Sequence, residues 1–366
     1  MAATSTTSAP GAGRARRSGL IMVSPAMILM ALFLILPFLL AFAMSFTNQR
    51  LVSPNPAQWV GLDNYKQMLG VGLLTLAPAA QGAREADGSP SYPNLRDYTR
   101  DNPEYPQLNR MREWFHFDLG GDRRLYVLAT DVIFMKALVN TILFVIVVAP
   151  VQAALALLLA MLINQPLRGI NIYRTIFFMP VVISMVVVAF LWRFIYAGDS
   201  GLLNSLLGQL TFGAFKPVDW LGQTGTALGA IMAMSIWQGV GFHMIVWLSG
   251  LQTIAAPLYE AAALEGASRW QVFRYVTWPG LRNTAILIMV VITMQAFTLY
   301  PQIDVMTRGR PLDSTQSLVF QAVQRGYGKQ DIAGGSAISV FLFLFVLAIS
   351  LGQRWLTREK SREKKK

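Results

Sequence analysis

Six long apolar segments alternate with polar ones along the chain. They cover residues 20–46, 132–163, 176–197, 226–250, 284–306 and 335–355. A helix needs about 20 apolar residues to cross the hydrocarbon core of a bilayer, and every segment reaches that length. The pattern therefore predicts an all-α polytopic membrane protein with six transmembrane helices. A disordered basic leader over residues 1–18 and a basic tail over 357–366 are expected at the ends. A cleaved signal peptide is the alternative for the first segment, although such peptides have shorter apolar stretches of about 7 to 15 residues.

Composition also favours a bilayer, because 54% of the residues are hydrophobic and only 14% are charged. The net charge of +12 could indicate a nucleic-acid partner. However, the basic residues flank the apolar segments and have no aromatic residues interleaved among them, so we expect no nucleic acid. The chain has no cysteine, and its two histidines, His116 and His243, are far apart, so we expect no metal site.

The chain also lacks the motifs GxxxxGK[ST] and GxGxxG, which cradle nucleotides. We therefore predict no cofactor and no catalytic residue. If the protein uses ATP, a partner subunit must bind it.

The distribution of positive charge predicts the orientation in the membrane. Fifteen of the 31 Lys and Arg residues lie in four segments, namely 1–18, 164–174, 251–283 and the end of the chain. Cytoplasmic loops are enriched in these residues, so we place both termini and the loop 251–283 in the cytoplasm. Residues 47–131 would then lie outside, with an insert over 70–130. The outer loop 307–334 is an exception, since it contains Arg308, Arg310, Arg325 and Lys329.

The loop 251–283 predicts two short helices separated by a glycine turn. Pro257 suits a first helical turn, and the alanines that follow carry the helix to Glu265, before Gly266 as a left-handed cap. Ser268 and Gln271 have capping-box spacing for a second helix, which Pro279 is expected to end. The alanines leave a flat surface that another protein could approach closely. Glu260 and Glu265 lie about 140° apart around a helix, so they do not form a catalytic pair.

This loop resembles the EAA loop of ABC importer permeases. The matching positions are Glu260, Ala261, Ala262, Glu265, Gly266, Ala267, Phe273 and Pro279. Glu265 stands where aspartate is usual. Three other stretches, residues 59–65, 134–141 and 306–315, resemble elements of carbohydrate-type permeases such as those for maltose and glycerol phosphate. In the last of these, Arg310 replaces a glycine. The insert is the main departure from the family.

The resemblance implies a type I ABC importer permease fold in the inner membrane, with the EAA loop docked on an ATPase subunit. It further implies a second permease subunit, two ABC ATPase subunits, an extracytoplasmic solute-binding protein and a sugar-like solute. Because the insert lies on the predicted outer side, we expect it to touch the binding protein or cap the pathway.

Polar and aromatic side chains within the spans are candidates for the translocation pathway, because polar groups facing lipid are costly. The candidates are Trp237, Gln238, His243, Gln295 and Tyr300. Trp237 could stack on a sugar ring. Each of the other four could instead form a hydrogen bond to a neighbouring helix.

Two other classes of protein fit the pattern less well. A secondary transporter or channel not driven by ATP would need acidic residues within the spans, and Asp304, near the end of one, stands alone there. A membrane enzyme would need clustered acids or histidines, whereas the acids of the insert are interleaved with arginines.

Overall fold

The computed structural model describes residues 12–78, 91–120, 123–165 and 168–357. Helix α1 (Ala12–Met30) continues through a π-helical turn at Ala31–Ile35 into α2 (Leu36–Met44). The leader predicted to be disordered is therefore helical from Ala12 onward. Alanine and arginine are good helix formers, and here they extend an apolar helix that is already formed. Residues 1–11 of the predicted leader, and the basic tail beyond Thr357, lie outside the described residues.

The remaining elements run from residue 63 to the end of the described chain. The helices are α3 (Asp63–Leu69), α4 (Arg96–Thr99), α5 (Val132–Ile163), α6 (Ile170–Val182), α7 (Met185–Ile195), α8 (Leu202–Leu210), α9 (Ala227–Gln252), α10 (Ala256–Leu264), α11 (Arg269–Val272), α12 (Trp278–Gly280), α13 (Arg282–Phe297), α14 (Pro301–Met306), α15 (Leu318–Val323) and α16 (Ile332–Thr357). The strands are β1 (Val71–Leu76), β2 (Arg112–Gly120) and β3 (Arg123–Ala129).

Four helical stretches are long and apolar enough to cross a membrane individually. They are Ile21–Met44, Val132–Ile163, Ala227–Gln252 and Ile332–Trp355. Two bent pairs are further candidates: α6 with α7, at an angle of 97°, and Arg269–Gly280 with α13, at 68°. The described residues thus provide four spans, or up to six if each bent pair is one span.

Predicted spans three and five are interrupted in the structure. The segment 176–197 is divided between α6 and α7 just after Pro180, whose ring removes a backbone donor from the last turn of α6. The segment 284–306 is divided between α13 and α14. Tyr300 directly precedes Pro301, which disfavours the helical conformation at Tyr300 and so separates the two helices. Apolar length alone did not predict either break.

The main core lies where α5, α9 and α13 pack together. It contains the buried side chains of Phe144, Ile231, Trp247 and Ile288. Small residues allow close helix packing in this region. A Cβ atom added at Gly241 of α9 would overlap the carbonyl oxygen of Phe177 in α6, so glycine lets the two helices approach closely.

The insert contains a three-stranded antiparallel sheet, which the sequence analysis did not predict. The strand order is β1-β3-β2. Leu74 and Leu76 alternate with more exposed residues along β1 and pack with Leu108, Tyr126 and Leu128 in a separate small core. We call the described part of residues 71–129 the sheet subdomain. Residues 79–90 and 121–122 are outside the described ranges.

An ion-pair network ties the end of the sheet subdomain to the membrane helices. Asp131 accepts a hydrogen bond from the backbone N–H of Phe134 at 3.0 Å and so caps α5. Arg325 donates to Asp131 at 3.0 Å and to Asp331 at 2.7 Å. This arginine, an exception to the charge rule in the sequence, is therefore neutralised within the fold.

Candidate coupling hairpin and translocation pathway

Residues 256–280, which we call the helical hairpin, have the helix–glycine–helix structure that the sequence predicts. Helix α10 ends at Leu264, and Glu265 is its C-terminal cap. Gly266 follows with φ of +69°, a left-handed conformation that glycine adopts at little cost. Ser268 and Gln271 form the predicted capping box, with bonds of 2.7 Å and 3.4 Å.

The second helix of the hairpin does not end at Pro279 as predicted. After α11 it passes through a π-helical turn, Phe273–Thr277, into α12, and the chain bends only after Gly280. Pro279 lies in the first turn of α12, where a missing N–H is tolerated. Leu281 alone separates α12 from α13, so the hairpin leads directly into α13.

Large apolar side chains are exposed on the hairpin. Leu264 is 90% exposed, Tyr275 73% and Trp270 69%. The carboxylates of Glu260 and Glu265 are exposed too, and no described cation lies within ion-pair distance of either. Large apolar side chains that are exposed to this degree are typical of an interaction surface.

The two helices of the hairpin contact each other, and the base of the hairpin packs against the residue Ile254, just after α9. The hydroxyls of Tyr259 and Thr277 lie 3.2 Å apart and connect its two helices. A Cβ atom added at Gly280 would lie 2.9 Å from the side chain of Ile254, so the chain is closely packed here. These contacts connect the two helices of the hairpin and place its base beside the end of α9.

A cavity of about 470 Å³ lies among α6, α7, α9, α13 and α14. Its lining consists of Val181, Met185, Gln238, Gly239, Phe242, His243, Gln295, Thr298, Pro301 and Gln302. Three of the five pathway candidates, Gln238, His243 and Gln295, thus share one cavity. Both broken spans contribute to its wall, which places their non-helical joints beside it.

Trp237 and Tyr300 are placed outside this lining. Trp237 packs edge to face on Trp192, with the ring centroids 5.4 Å apart. Tyr300 lies against Phe320 at 6.1 Å. Gln302 and Thr298 were missed in the sequence, although Gln302 is an uncharged polar residue within the predicted fifth span and the rule for polar groups in spans could have found it.

The hydrogen bonding of His243 leaves one ring nitrogen without a partner. Its Nδ1 lies 2.9 Å from the carbonyl oxygen of Gly239 and 3.0 Å from Nε2 of Gln152. Nδ1 donates to the carbonyl in one tautomer and accepts from the amide in the other, so Nε2 is an acceptor in the first and a donor in the second. This Nε2 atom and Oε1 of Gln302 are buried and have no partner among the described residues. A hydroxyl group both donates and accepts, so it can pair with either atom.

The other motifs that carry the resemblance make specific contacts. Asn64 donates to the carbonyl oxygens of Ser45 and Thr47, both at 2.8 Å, and so fixes the end of α2. In the second motif, Lys136 donates to Leu312 at 2.9 Å, and Asn140 donates to Ser314 at 2.9 Å. The stretches 134–141 and 306–315, distant in sequence, therefore meet in space.

Together, the interrupted spans, the polar cavity and the exposed hairpin define a membrane transport subunit. The family model "Binding-protein-dependent transport system inner membrane component" matches residues 152–362, and the chain belongs to this family. It is thus a multi-pass inner-membrane permease component rather than an enzyme. The resemblance to ABC importer permeases is confirmed.

Several curated relatives are similar to this chain. A probable ABC transporter permease of Pyrococcus horikoshii is 34% identical over 221 residues, covering 60% of this chain and 75% of the relative. The xylose/arabinose import permease of Haloferax volcanii is 32% identical over 59% of this chain and 68% of its own length. The trehalose/maltose transport system permease of Thermococcus litoralis is 32% identical over 58% and 70%.

A solved structure confirms the predicted fold class. The match is to a chain of a bacterial ABC transporter involved in the import of the acidic polysaccharide alginate, with a TM-score of 0.68 at 19% identity. It covers 96% of this chain and 99% of that chain.

Proposed function

We propose that this permease forms the pathway of an ATP-driven importer for a saccharide or a related polyol-like solute. It works with a second permease subunit, two ABC ATPase subunits that bind the ATP, and an extracytoplasmic solute-binding protein. The observation that carries the proposal is the helical hairpin between α9 and α13, with its exposed apolar side chains. The sugar permeases among the relatives support the choice of solute.

The hairpin docks on an ATPase subunit through Glu260, Ala261, Ala262, Glu265, Gly266, Ala267 and Pro279. The carboxylates provide charged contacts, the alanines permit close approach, and Gly266 sets the angle between the helices. Closure of the ATPase dimer then moves the hairpins and, through the one-residue connection at Leu281, α13. Because α13 and α9 line the polar cavity, this movement changes access to it.

The cavity binds the hydroxyl groups of the solute through hydrogen bonds. Gln238, His243, Gln295 and Gln302 provide hydrogen-bonding groups, and Phe242 provides an apolar face for a sugar ring. Trp237 extends this aromatic surface through its contact with Trp192. Tyr300 stabilises the non-helical segment between α13 and α14. A secondary transporter remains less consistent with the sequence, since only Asp304 provides an acidic side chain within the predicted spans.

Both termini and the hairpin lie in the cytoplasm in this proposal, as the positive charge distribution predicts. The sheet subdomain is then outside, where it contacts the binding protein. A cavity of about 730 Å³ on this subdomain supports such a contact, since Arg96, Arg100, Arg110 and Arg112 line it. Replacing Arg100 and Arg110 with glutamine should weaken stimulation of ATP hydrolysis by the binding protein.

The test is to purify the permease with the ATPase and partner permease encoded beside it, and to reconstitute them in liposomes with the binding protein. We expect vanadate-sensitive ATP hydrolysis stimulated by a member of a sugar panel, and uptake of that sugar only with ATP. Uptake driven by an ion gradient without ATP would overturn the proposal.

A further inference from the structure

Three arginines converge on one cavity beside the proposed pathway. Arg193 of α7 and Arg308 and Arg310 of the following loop line a cavity of about 310 Å³, together with Val305, Met306 and Thr307. Arg193 reaches the carbonyl oxygen of Val305 at 3.5 Å. We call this the arginine cavity. Arg308 and Arg310 are exceptions to the positive-inside rule, and Arg310 replaces a glycine of the family motif.

None of the three arginines has an acidic partner among the described residues. Arg325, in the same loop, pairs with Asp131 and Asp331, as noted above. Arg193, Arg308 and Arg310 have no carboxylate within 4 Å in the described ranges. Three guanidinium groups around one small space repel each other, and an anion that enters relieves this repulsion. Guanidinium groups bind carboxylate and phosphate oxygens in pairs with well-defined geometry.

The loop that carries Arg308 and Arg310 is held in place by buried contacts. Thr315 is fully buried and donates to the carbonyl oxygen of Arg310 at 2.8 Å. Its hydroxyl also lies 2.8 Å from that of Thr307. The contacts from the stretch 134–141 described above hold the other side of the loop. The backbone positions of both arginines are therefore preorganised before a ligand binds.

Helix α14 connects the arginine cavity to the polar cavity. Pro301 and Gln302 at its start line the polar cavity, and Val305 and Met306 at its end line the arginine cavity. Pro301 and Met306 are five residues apart, so these lining residues are separated by about 7.5 Å along the helix at 1.5 Å per residue. A solute of one or two sugar rings could contact both.

We propose that the solute of this importer is an anionic saccharide, and that the arginine cavity binds its carboxylate or phosphate group while its hydroxyl groups meet the polar cavity. This inference rests on the proposed function and narrows the class of solute. The exposed guanidinium groups remain accessible to a solute arriving from the binding protein, and a volume of about 310 Å³ lies at the lower end of the range for small-ligand sites.

The test is equilibrium binding to the purified importer complex with three radiolabelled probes: digalacturonate, glucose 6-phosphate and maltose. We expect at least one acidic probe to bind more tightly than maltose, and its affinity to fall as salt is added. The double variant Arg308→Gln/Arg310→Gln and the single variant Arg193→Gln should each weaken binding of the acidic probe about tenfold or more and leave maltose binding unchanged. The matched control is Arg50→Gln, an exposed arginine outside the cavity.

The acidic probe that binds distinguishes a carboxylate from a phosphate ligand. Equal binding of acidic and neutral probes, or acidic binding that the variants leave unchanged, would overturn the inference. The inference would also be overturned if the arginine variants abolished the stimulation of ATP hydrolysis by the binding protein with every probe. The arginines would then dock that protein. If maltose uptake is still driven by ATP when any of these results is obtained, the proposed function stands. Preferential acidic binding without any ATP-driven uptake would overturn the function alone.

Discussion

The helical hairpin and the sheet subdomain lie outside the spans but are stabilised in different ways. The hairpin has no buried side chain in α10 or α11 and exposes Leu264 and Trp270. The sheet subdomain buries its own leucines, with Leu128 completely covered. A segment with a core of its own keeps its shape alone, whereas one that exposes its apolar residues depends on a partner. Substitutions in the hairpin should therefore impair coupling to the ATPase, and substitutions in the sheet subdomain should lower stability.

The largest effect is expected from Gly266→Val. The φ of +69° strains a β-branched residue, although the site has open space around it and no clash occurs. Changing the turn redirects the second helix, so we expect loss of ATP-dependent uptake and of co-purifying ATPase at normal membrane levels. Gly208→Val is the control, because this glycine also faces open space but lies in a helix without positive φ. Undiminished uptake by Gly266→Val would show that the turn does not couple the subunits.

A pair of leucine substitutions tests the comparison directly. Leu128→Ala removes a fully buried side chain from the sheet subdomain, so it should lower the free energy of unfolding by about 2 to 5 kcal/mol. Leu264→Ala removes an exposed one, so it should leave stability unchanged and weaken binding of the ATPase. Hydrogen exchange at β3 amides measures the first effect, and co-purification measures the second. The comparison fails if Leu264→Ala unfolds the permease or Leu128→Ala leaves β3 exchange unchanged.

A smaller effect on stability is expected where the sheet subdomain joins the spans. Arg325→Gln removes both ion pairs and leaves the partly buried carboxylates of Asp131 and Asp331 without their cation. Hydrogen bonds to charged groups contribute about 1.5 to 3 kcal/mol, so the loss should fall near the lower end of this range. Thermal unfolding in detergent would measure it. Lys329→Gln, an exposed neighbour, is the control and should have no effect.

The sequence predicted the hairpin better than the rest of the molecule because its signals are local. Gly266, Ser268 and Gln271 determine their own turn and cap within a few residues. The sheet of the insert depends on pairing between β1 and β3, which are far apart in the sequence: Val71 pairs with Ala129, 58 positions later. Pairing over that distance leaves no short motif.

The site residues also divide into those that the sequence predicted and those that only the fold showed. Gln238, His243 and Gln295 were found because a polar group in an apolar span is conspicuous. The sequence did not show that Trp237 packs on Trp192 instead of lining the cavity, since helix rotation depends on neighbouring helices. The convergence of Arg193 with Arg308 and Arg310 likewise needed the three-dimensional fold, because Arg193 lies more than 100 positions before the other two.

The smallest effect is expected within the polar cavity, at His243. His243→Ala removes a cavity-lining ring whose Nε2 has no partner among the described residues, together with the contacts of Nδ1. A single neutral hydrogen bond contributes about 0.5 to 1.5 kcal/mol, so uptake at low solute concentration should fall about 2- to 12-fold. ATPase binding should not change, because His243 lies within α9 and the hairpin begins only after α9 has ended, at Ala256. Ser249→Ala, at an exposed position of α9, is the control. If His243→Ala weakened ATPase binding as much as uptake, the histidine would stabilise α9 rather than contact the solute, and the separation between pathway and coupling hairpin would not hold.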